Sequence, residues 1–282
     1  MNLTDIRDIR ALQARHGFHF SKSMGQNFLI ADWVPRDIAD AAELDENCAV
    51  LEIGPGIGSL THQLARQAGR VATIELDTSL LPILRETLGD CSNVEIIPGD
   101  VMKLDLSAIL SEKFSGFTIK ACANLPYNIT TPVLTRLLET GCFQSITVMI
   151  QKEVAKRICA APGDPDCGAF SLFCQSHAQC RLLFEVPPSC FFPAPKVTSA
   201  VIQMIPHAEP PVQGDREAIF AVVKAAFAQR RKTLLNALSA AYGSCFSKEE
   251  LRQIILDCGL SETVRGERLG LEQFAALSQA LR

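Results

Sequence analysis

The sequence predicts an α/β fold in which an open parallel sheet is followed by a small all-helical domain. Apolar, strand-like runs alternate with amphipathic helical segments over residues 1–206, and only helical patterns follow Asp215. The segment from Ile205 to Asp215 contains three prolines and a glycine, which is typical of a linker. We therefore expect two domains, residues 1–206 and residues 207–282.

Length and composition indicate an ordinary globular protein. The chain has 282 residues, of which 48% are hydrophobic, so it can bury a large core and a smaller one. No apolar run reaches the ~18 residues of a membrane helix, and the first fifteen residues mix charges with Leu and Ile. We expect a cytoplasmic protein without a membrane partner. A net charge of −4 disfavours a polyanion held by overall charge but leaves room for a local basic patch.

The eleven cysteines are scattered singly along the chain, which predicts free thiols rather than a disulfide frame. The one local cluster, Cys167, Cys174 and Cys180 with His177, fits no standard zinc spacing, so we expect no metal site.

The elements follow from apolar periodicity and helix-end signals. Asp32 is placed to cap a helix that carries Val34 and Ile38, and Ser247 with Glu250 forms a capping-box pattern. A straight helix over residues 220–238 would bring Arg231 into its apolar stripe, so we expect a break at residues 229–231. The predicted strands are residues 50–53, 71–74, 94–97, 118–123, 145–150, 181–186 and 197–204. The predicted helices after the one capped by Asp32 are residues 59–67, 80–88, 104–110, 132–139, 151–158, 216–238 (with the break), 247–258 and 271–281.

A glycine-rich turn follows the first of these strands. Gly54, Gly56 and Gly58 lack Cβ atoms, so the backbone can turn sharply and a ligand can lie against it. A dinucleotide fingerprint would require glycine at position 59, where this chain has Ser59. The turn therefore predicts a bound cofactor but disfavours one with a pyrophosphate.

Polar residues stand at the ends of the next strands. Glu75 and Asp100 each follow an apolar run, and Asn124-Leu125-Pro126-Tyr127 ends another. Because the carboxyl ends of parallel strands line one crevice, we expect these residues to converge on one ligand. Glu75 is suited to ribose hydroxyls and Asp100 to an adenine amino group, which together predict S-adenosylmethionine and methyl transfer. A plain turn also uses Asn and Pro, so the tetrapeptide alone is moderately specific.

If the acceptor is an adenine N6, the chemistry assigns a role to each residue of the tetrapeptide. Asn124 Oδ1 and the carbonyl of Leu125 or Pro126 would accept hydrogen bonds from the amino group, and Tyr127 would stack on the base. A base must leave its helix or loop to reach such a site. The stiff, proline-rich loop before residue 197 offers Phe191 or Phe192 as a second stacking ring.

The chain resembles the small-subunit ribosomal RNA adenine N6,N6-dimethyltransferases, from about Ser21 to Leu235. The resemblance rests on Gly25-Gln26-Asn27-Phe28-Leu29, Glu52-Ile53-Gly54-Pro55-Gly56-Ile57-Gly58, Glu75-Leu76-Asp77, Gly99-Asp100, Asn124-Leu125-Pro126-Tyr127, Phe191 with Pro193-Ala194-Pro195-Lys196-Val197, and Arg230-Arg231-Lys232-Thr233-Leu234. It implies a seven-stranded class I methyltransferase sheet with a helical C-terminal domain. It further implies that Asn27, Leu29, Gly54, Glu75, Asp100 and Asn124 contact S-adenosylmethionine, and that Tyr127 and Phe191 sandwich the adenine.

The resemblance also implies a substrate. Such enzymes dimethylate two adjacent adenosines in a hairpin loop near the 3′ end of 16S RNA within the 30S subunit, release S-adenosylhomocysteine and contribute to ribosome biogenesis. We expect a monomer. The candidate RNA-binding residues are Lys152, Lys156, Arg157, Lys196, Arg230, Arg231 and Lys232.

Three alternatives remain open. A 23S RNA methylase that confers macrolide resistance is a close relative, although the helical C-terminal domain favours the small subunit. A DNA adenine methylase would use Asp in place of Asn124. A relative without activity would act as an assembly or transcription factor, against which the intact Asn-Leu-Pro-Tyr set argues. Two departures from the family pattern are the acidic net charge and Phe192 beside Phe191.

Overall fold

The computed structural model describes residues 1–18 and 26–282, with twelve α-helices and nine strands in those residues. Of the N-terminal motif, Ser21 to Gly25 lie outside the described residues. The strands are β1 (Phe28–Leu29), β2 (Cys48–Ile53), β3 (Arg70–Glu75), β4 (Val94–Pro98), β5 (Thr118–Asn124), β6 (Ser145–Gln151), β7 (Ala178–Val186), β8 (Phe191–Phe192) and β9 (Ser199–Pro206). The helices are α1 (Ile6–His16), α2 (Trp33–Ala41), α3 (Ser59–Gln67), α4 (Leu81–Thr87), α5 (Leu106–Lys113), α6 (Thr130–Thr140), α7 (Lys152–Cys159), α8 (Ala169–His177), α9 (Arg216–Ala228), α10 (Leu234–Tyr242), α11 (Lys248–Asp257) and α12 (Leu271–Ala280).

Seven strands form one sheet in the order β4-β3-β2-β5-β6-β9-β7, which confirms the predicted seven-stranded architecture. The five strands from β4 to β6 are parallel, whereas β9 runs antiparallel to β6, with Val148 opposite Ile202. The sheet is thus mixed rather than wholly parallel. The short strands β1 and β8 pair separately, and Leu29 lies opposite Phe191.

Burial on the sheet explains why the central strands read as continuous apolar runs. All six residues of β2 are buried, as expected for a strand that is covered on both faces. Val34 and Ile38 of α2 and Leu64 of α3 are fully buried in the same core. Asp32 stands at the first end of α2, but the expected side-chain cap is absent because its own backbone is already in the right-handed helical region, with φ −58° and ψ −33°. Its carboxylate accepts the Thr4 hydroxyl.

The N-terminal helix α1 has no counterpart among the predicted elements. Asp5 caps it by accepting from the Arg7 backbone N–H at 2.8 Å, and Gly17 ends it in the left-handed conformation. Ile9 and Leu12 are fully buried in a small core that also contains Phe28, Ile57, Leu80 and Ile83. The helix is therefore an integral part of the structure around the glycine turn.

The chain divides into two compact units, Met1–Ala155 with Cys180–Pro206 and Lys156–Gln179 with His207–Arg282. This differs from a single division at residue 206, because residues 156–179 group with the C-terminal helices. Cys167 and Leu172 are fully buried in a core with Val223, Leu234 and Phe274. Helix α8, which lies in this segment, was not among the predicted helices.

Within the second unit the predicted helix break is present. Helix α9 ends at Ala228, and α10 begins at Leu234. Thr233 caps α10, because its hydroxyl accepts from the Asn236 N–H at 3.4 Å. The capping box of α11 forms as predicted, with Ser247 and Glu250 exchanging hydrogen bonds. Among the described residues, no helix has the length and apolar character needed to cross a bilayer.

Candidate active site

A cavity of about 450 Å³ opens at the carboxyl ends of β2, β3 and β5, within the first unit. This is the edge at which open α/β sheets bind ligands, and the volume suits a nucleoside-sized molecule. The residues predicted to bind the donor or the base all line this cavity: Asn27, Leu29, Gly54, Glu75, Asp100, Asn124, Leu125, Pro126, Tyr127 and Phe191. The structure therefore brings them together. For Gly54, Glu75, Asp100 and the segment 124–127 this is the convergence expected from the strand ends, whereas Asn27, Leu29 and the choice of Phe191 over Phe192 were expected from the resemblance alone.

The glycine turn forms one wall of the cavity. Gly54 and Gly56 have φ angles of 69° and 61°, in the left-handed region that favours glycine. A Cβ on Gly56 would lie 2.9 Å from Cε1 of Phe28, so the second glycine is also required by close packing. The turn is thus fixed both by its backbone conformation and by the aromatic ring of β1.

Glu75 ends β3 and is 6% exposed. Its carboxylate accepts a hydrogen bond from the Asp77 N–H at 2.7 Å. Burial raises the pKa of Glu75 above its usual value, and hydrogen bonds from the Asp77 and Gly56 backbone oppose that shift. The carboxylate is therefore oriented from both sides within the cavity wall, where it can accept hydrogen bonds from a ligand.

Asp100 follows β4 and is partly exposed. Its Oδ1 accepts from the Met102 N–H at 2.9 Å, which fixes the side chain at the start of a turn. Its Oδ2 lies 3.8 Å from Lys103 Nζ, whose side chain is 84% exposed. A surface pair of this kind contributes little, so Asp100 keeps acceptor capacity on the cavity side.

Glu52 lines the cavity but was not among the predicted site residues, although it begins the motif Glu52-Ile53-Gly54. It is the last residue but one of β2, is 1% exposed and accepts from the Thr61 hydroxyl at 2.6 Å. Burial raises the pKa of Glu52 to about 7, from an ordinary value of 4.5. A single acid near the end of an apolar strand is usually expected to be exposed. Here all six residues of β2 are buried, so Glu52 is buried with its apolar neighbours.

The Asn124 to Tyr127 segment leaves β5 beside β6. Asn124 lies opposite Met149, and the Leu125 N–H donates to the Met149 carbonyl at 3.1 Å. The Pro126 carbonyl already accepts from the Ile129 N–H and the Thr130 hydroxyl, each at 3.2 Å. Of the two carbonyls expected to accept from the substrate amino group, Leu125 is therefore the better candidate.

The structure distinguishes the two adjacent phenylalanines. Phe191 lines the cavity and is 2% exposed, with its strand partner Leu29 in the same core. Phe192 does not line the cavity, and the guanidinium of Arg10 lies 5.6 Å from its ring centroid. Phe191 is thus the ring that reaches the cavity, through a small part of its surface.

The charge of the cavity limits what can bind. Glu52, Glu75 and Asp100 line it, and no Lys or Arg of the described chain does so. Phosphate groups would meet carboxylates without a compensating cation, which disfavours nucleotides and dinucleotides. A nucleoside with a positively charged sulfonium and an amino group fits this set of acceptors, as S-adenosylmethionine does.

The candidate RNA-binding residues fall into two groups. Lys156, Arg157, Lys196, Arg231 and Lys232 are exposed. Lys152 instead donates to Glu185 at 2.7 Å, and Arg230 donates to the carbonyls of Pro165 and Cys167 at 2.6 and 3.0 Å. Glu267 lies 3.6 Å from the same guanidinium. Arg230 is also exposed, with 45% of its side chain accessible, but its guanidinium is bound to the segment before α8.

No disulfide joins any of the eleven cysteines, all of which lie within the described residues. Cys167 and Cys174 are fully buried and Cys180 is half-buried. Elsewhere, His62, Asp90 and Cys91 bring possible ligand atoms within 4.8 Å of one another, but the Asp90 side chain is 77% exposed.

Comparisons with known proteins agree with this arrangement. A family model described as "Ribosomal RNA adenine dimethylase" matches residues 17–278. The Ribosomal RNA small subunit methyltransferase A of Alkaliphilus metalliredigens strain QYMF is 46% identical over 96% of this chain and 94% of the relative. A 23S rRNA methyltransferase, ErmE, has a solved structure with a TM-score of 0.68 at 25% identity, covering 90% of this chain and 99% of its own. A dimethyladenosine transferase from Plasmodium falciparum has the same fold, with a TM-score of 0.72, 24% identity and coverage of 88% and 95%.

Proposed function

Because the chain belongs to the ribosomal RNA adenine dimethylase family, we propose that it dimethylates N6 of two adjacent adenosines near the 3′ end of 16S RNA in the small ribosomal subunit. The observation that carries this proposal is the acidic cavity at the strand ends, bordered by Asn124 to Tyr127. The relative named as a small-subunit methyltransferase is 46% identical, against 25% for the 23S enzyme, which favours the small subunit over the large one.

S-adenosylmethionine, when bound, supplies a methyl group on a positively charged sulfur that needs no further activation. The protein's contribution is then to hold and orient the two reactants. Glu75 would accept from the ribose hydroxyls and Asp100 from the donor's adenine. Asn27, Leu29 and Gly54 line the remaining wall.

The target base is held by the opposite side of the cavity. Asn124 Oδ1 and the Leu125 carbonyl accept the two N6 hydrogens, which turns the nitrogen lone pair out of conjugation with the ring and toward the methyl group. In each transfer the nitrogen would gain a methyl group and give up one proton to water. Before the second transfer N6 carries a single hydrogen, so only one of the two acceptors would then be engaged. Tyr127 and Phe191 contact the faces of the base, and burial raises the pKa of Tyr127, so its hydroxyl stays protonated near neutral pH.

The acidic chain must find RNA through local patches. The exposed residues Lys156, Arg157, Lys196, Arg231 and Lys232 are the candidates for phosphate contacts. We assign methyl transfer to the unit of residues 1–155 and 180–206, where the cavity lies, and RNA binding chiefly to the C-terminal helices. Because the net charge is −4, we expect an assembled particle to be a better substrate than free RNA.

The test is methylation of small subunits purified from a strain that lacks this activity. Labelled methyl donor should enter the small subunit and appear as N6,N6-dimethyladenosine by mass spectrometry, while large subunits stay unlabelled. Asn124→Ala should keep the fold by circular dichroism and lose nearly all turnover. Label in the large subunit, or full turnover by Asn124→Ala, would contradict the substrate or the alignment, respectively.

A further inference from the structure

A buried serine stands behind the ring that is proposed to contact the target base. Ser199 is the first residue of β9, and none of its surface is exposed. Its Oγ lies 2.7 Å from the phenolic oxygen of Tyr127. Ser199 does not line the cavity, so it reaches the site only through this hydrogen bond.

The mixed sheet explains how a distant residue arrives here. β9 runs antiparallel to β6, and the register places Ser199 opposite Gln151, the last residue of β6. The beginning of β9 therefore lies at the edge of the sheet where the parallel strands end. The Lys152 N–H donates to the Thr198 carbonyl at 3.0 Å, which extends the ladder just past that edge.

We propose that Ser199 is a positioning residue for methyl transfer, because its hydroxyl holds the far end of the Tyr127 ring against which the adenine lies. This inference rests on the function proposed above. The phenolic oxygen lies on the axis of the outer torsion of the side chain, so the hydrogen bond does not set rotation about that axis; it restrains the swing of the whole ring about the Cα–Cβ bond. Because the partner is fully buried at the start of a strand, the far end of the ring has a fixed position.

The consequence is a loss in the rate of transfer rather than in donor binding. Without the hydrogen bond the far end of the ring swings over a wider range, and the N6 atom is aligned with the methyl group for a smaller fraction of the time. A neutral intramolecular hydrogen bond has a net value of about 1 kcal/mol, which corresponds to roughly a fivefold effect. We therefore expect roughly fivefold lower kcat in Ser199→Ala, with the affinity for S-adenosylmethionine unchanged.

A double-mutant cycle with Tyr127→Phe tests this role. Each single variant should lose kcat by a similar factor on small subunits, and the double variant should lose no more than either one. Ser199→Thr, which keeps the hydroxyl, should restore most of the rate. Ser145→Ala is the matched control, since this buried serine of β6 has a hydroxyl without a hydrogen-bond partner among the described residues.

A second readout is independent of turnover. The chain has two tyrosines, so the labelled ring signals in an NMR spectrum are simple to assign. Ser199→Ala should shift the signals of Tyr127 and leave those of Tyr242 unchanged, whereas Ser145→Ala should alter neither.

The outcomes separate the two proposals. Undiminished kcat in Ser199→Ala, or losses that multiply in the double variant, would reject the positioning role while the wild-type protein still methylates the particle. Failure of the wild-type protein to methylate small subunits would reject the proposed function and the positioning role with it.

Discussion

The side-chain amide of Gln26 donates a hydrogen bond to the carboxylate of Asp77 at 2.8 Å, and the backbone N–H of Asp77 donates to Glu75. The segment before β1 is therefore joined to the same turn that orients the buried carboxylate at the end of β3. Gln26 lines the cavity next to Asn27 and Phe28. One short polar chain thus connects two walls of the donor site that are far apart in sequence.

Gln26→Ala should weaken S-adenosylmethionine binding by about 1 kcal/mol, because the Asp77 turn loses a hydrogen bond in which the acceptor is charged. Isothermal titration calorimetry measures the change. Gln67→Ala is a suitable control, since its exposed amide makes a similar 2.7 Å bond to Asp40 between α2 and α3. Equal affinities for Gln26→Ala and Gln67→Ala would show that the connection has no role in donor binding.

Glu75→Ala and Asp100→Ala should each weaken donor binding by about 1–3 kcal/mol, the range for a lost charge-assisted hydrogen bond. The same calorimetric titration gives both values. Glu95→Ala removes an exposed acid of β4 that pairs with Lys113, and its donor affinity should be that of the wild type. If neither cavity variant changes the affinity, the donor lies elsewhere.

Glu52 should make stability depend on pH above the range in which ordinary carboxyls titrate. Its folded-state pKa is about 7 and its ordinary value is 4.5, so folding takes up a proton between these values. The stability that the protonated form contributes is complete below about pH 4.5 and is lost as the pH rises through 7. The shift corresponds to roughly 3 kcal/mol at most.

Glu52→Gln removes this dependence and keeps an oxygen that accepts from Thr61. Its Tm, relative to that of the wild type, should therefore be higher at pH 8 than at pH 5, as measured by differential scanning calorimetry. Glu95→Gln, at an exposed position, controls for the general loss of a carboxyl group. A difference in Tm that stays constant from pH 5 to pH 8 would mean that Glu52 titrates normally.

The basic residues near the break between α9 and α10 should separate in their effects. Arg231→Ala with Lys232→Ala should reduce the slope of log affinity against log salt by about 0.7–0.9 for each phosphate that is no longer neutralised, when binding to small subunits is measured by filter retention. Arg230→Ala should instead lower the free energy of unfolding by about 1–2 kcal/mol, because two carbonyls lose a charged donor. An unaltered slope in the double variant would mean that Arg231 and Lys232 do not contact phosphates and only face solvent.

Local patterns allowed much of the site to be predicted from the sequence. Each of four site residues, Gly54, Glu75, Asp100 and Asn124, stands at or within a few residues of the end of an apolar run. The topology of a parallel sheet brings such strand ends together, so their convergence on one cavity could be predicted. The helix break at residues 229–233 likewise followed from one arginine in an apolar stripe.

Features that depend on distant partners could not be predicted in the same way. Arg230, Arg231 and Lys232 are all exposed, but the carbonyl partners of Arg230 are 65 and 63 residues away along the chain, so its hydrogen bonds could not be predicted from the basic run itself. Asp32 had a neighbouring helix to cap but bonds to Thr4 instead. Helix α8 carries one cysteine and two phenylalanines without an obvious polar face, and its core partners come from α9 and beyond.

The segment of residues 156–179 determines how the protein can be cut and when it can finish folding. Cys167 and Leu172 have their core partners after residue 207, so a fragment that ends at residue 206 exposes them to water, and a fragment of residues 207–282 lacks them. On the ribosome, the second unit can be completed only when synthesis approaches the C-terminus. Until then, Cys167 and Leu172 lack the residues after 207 that bury them.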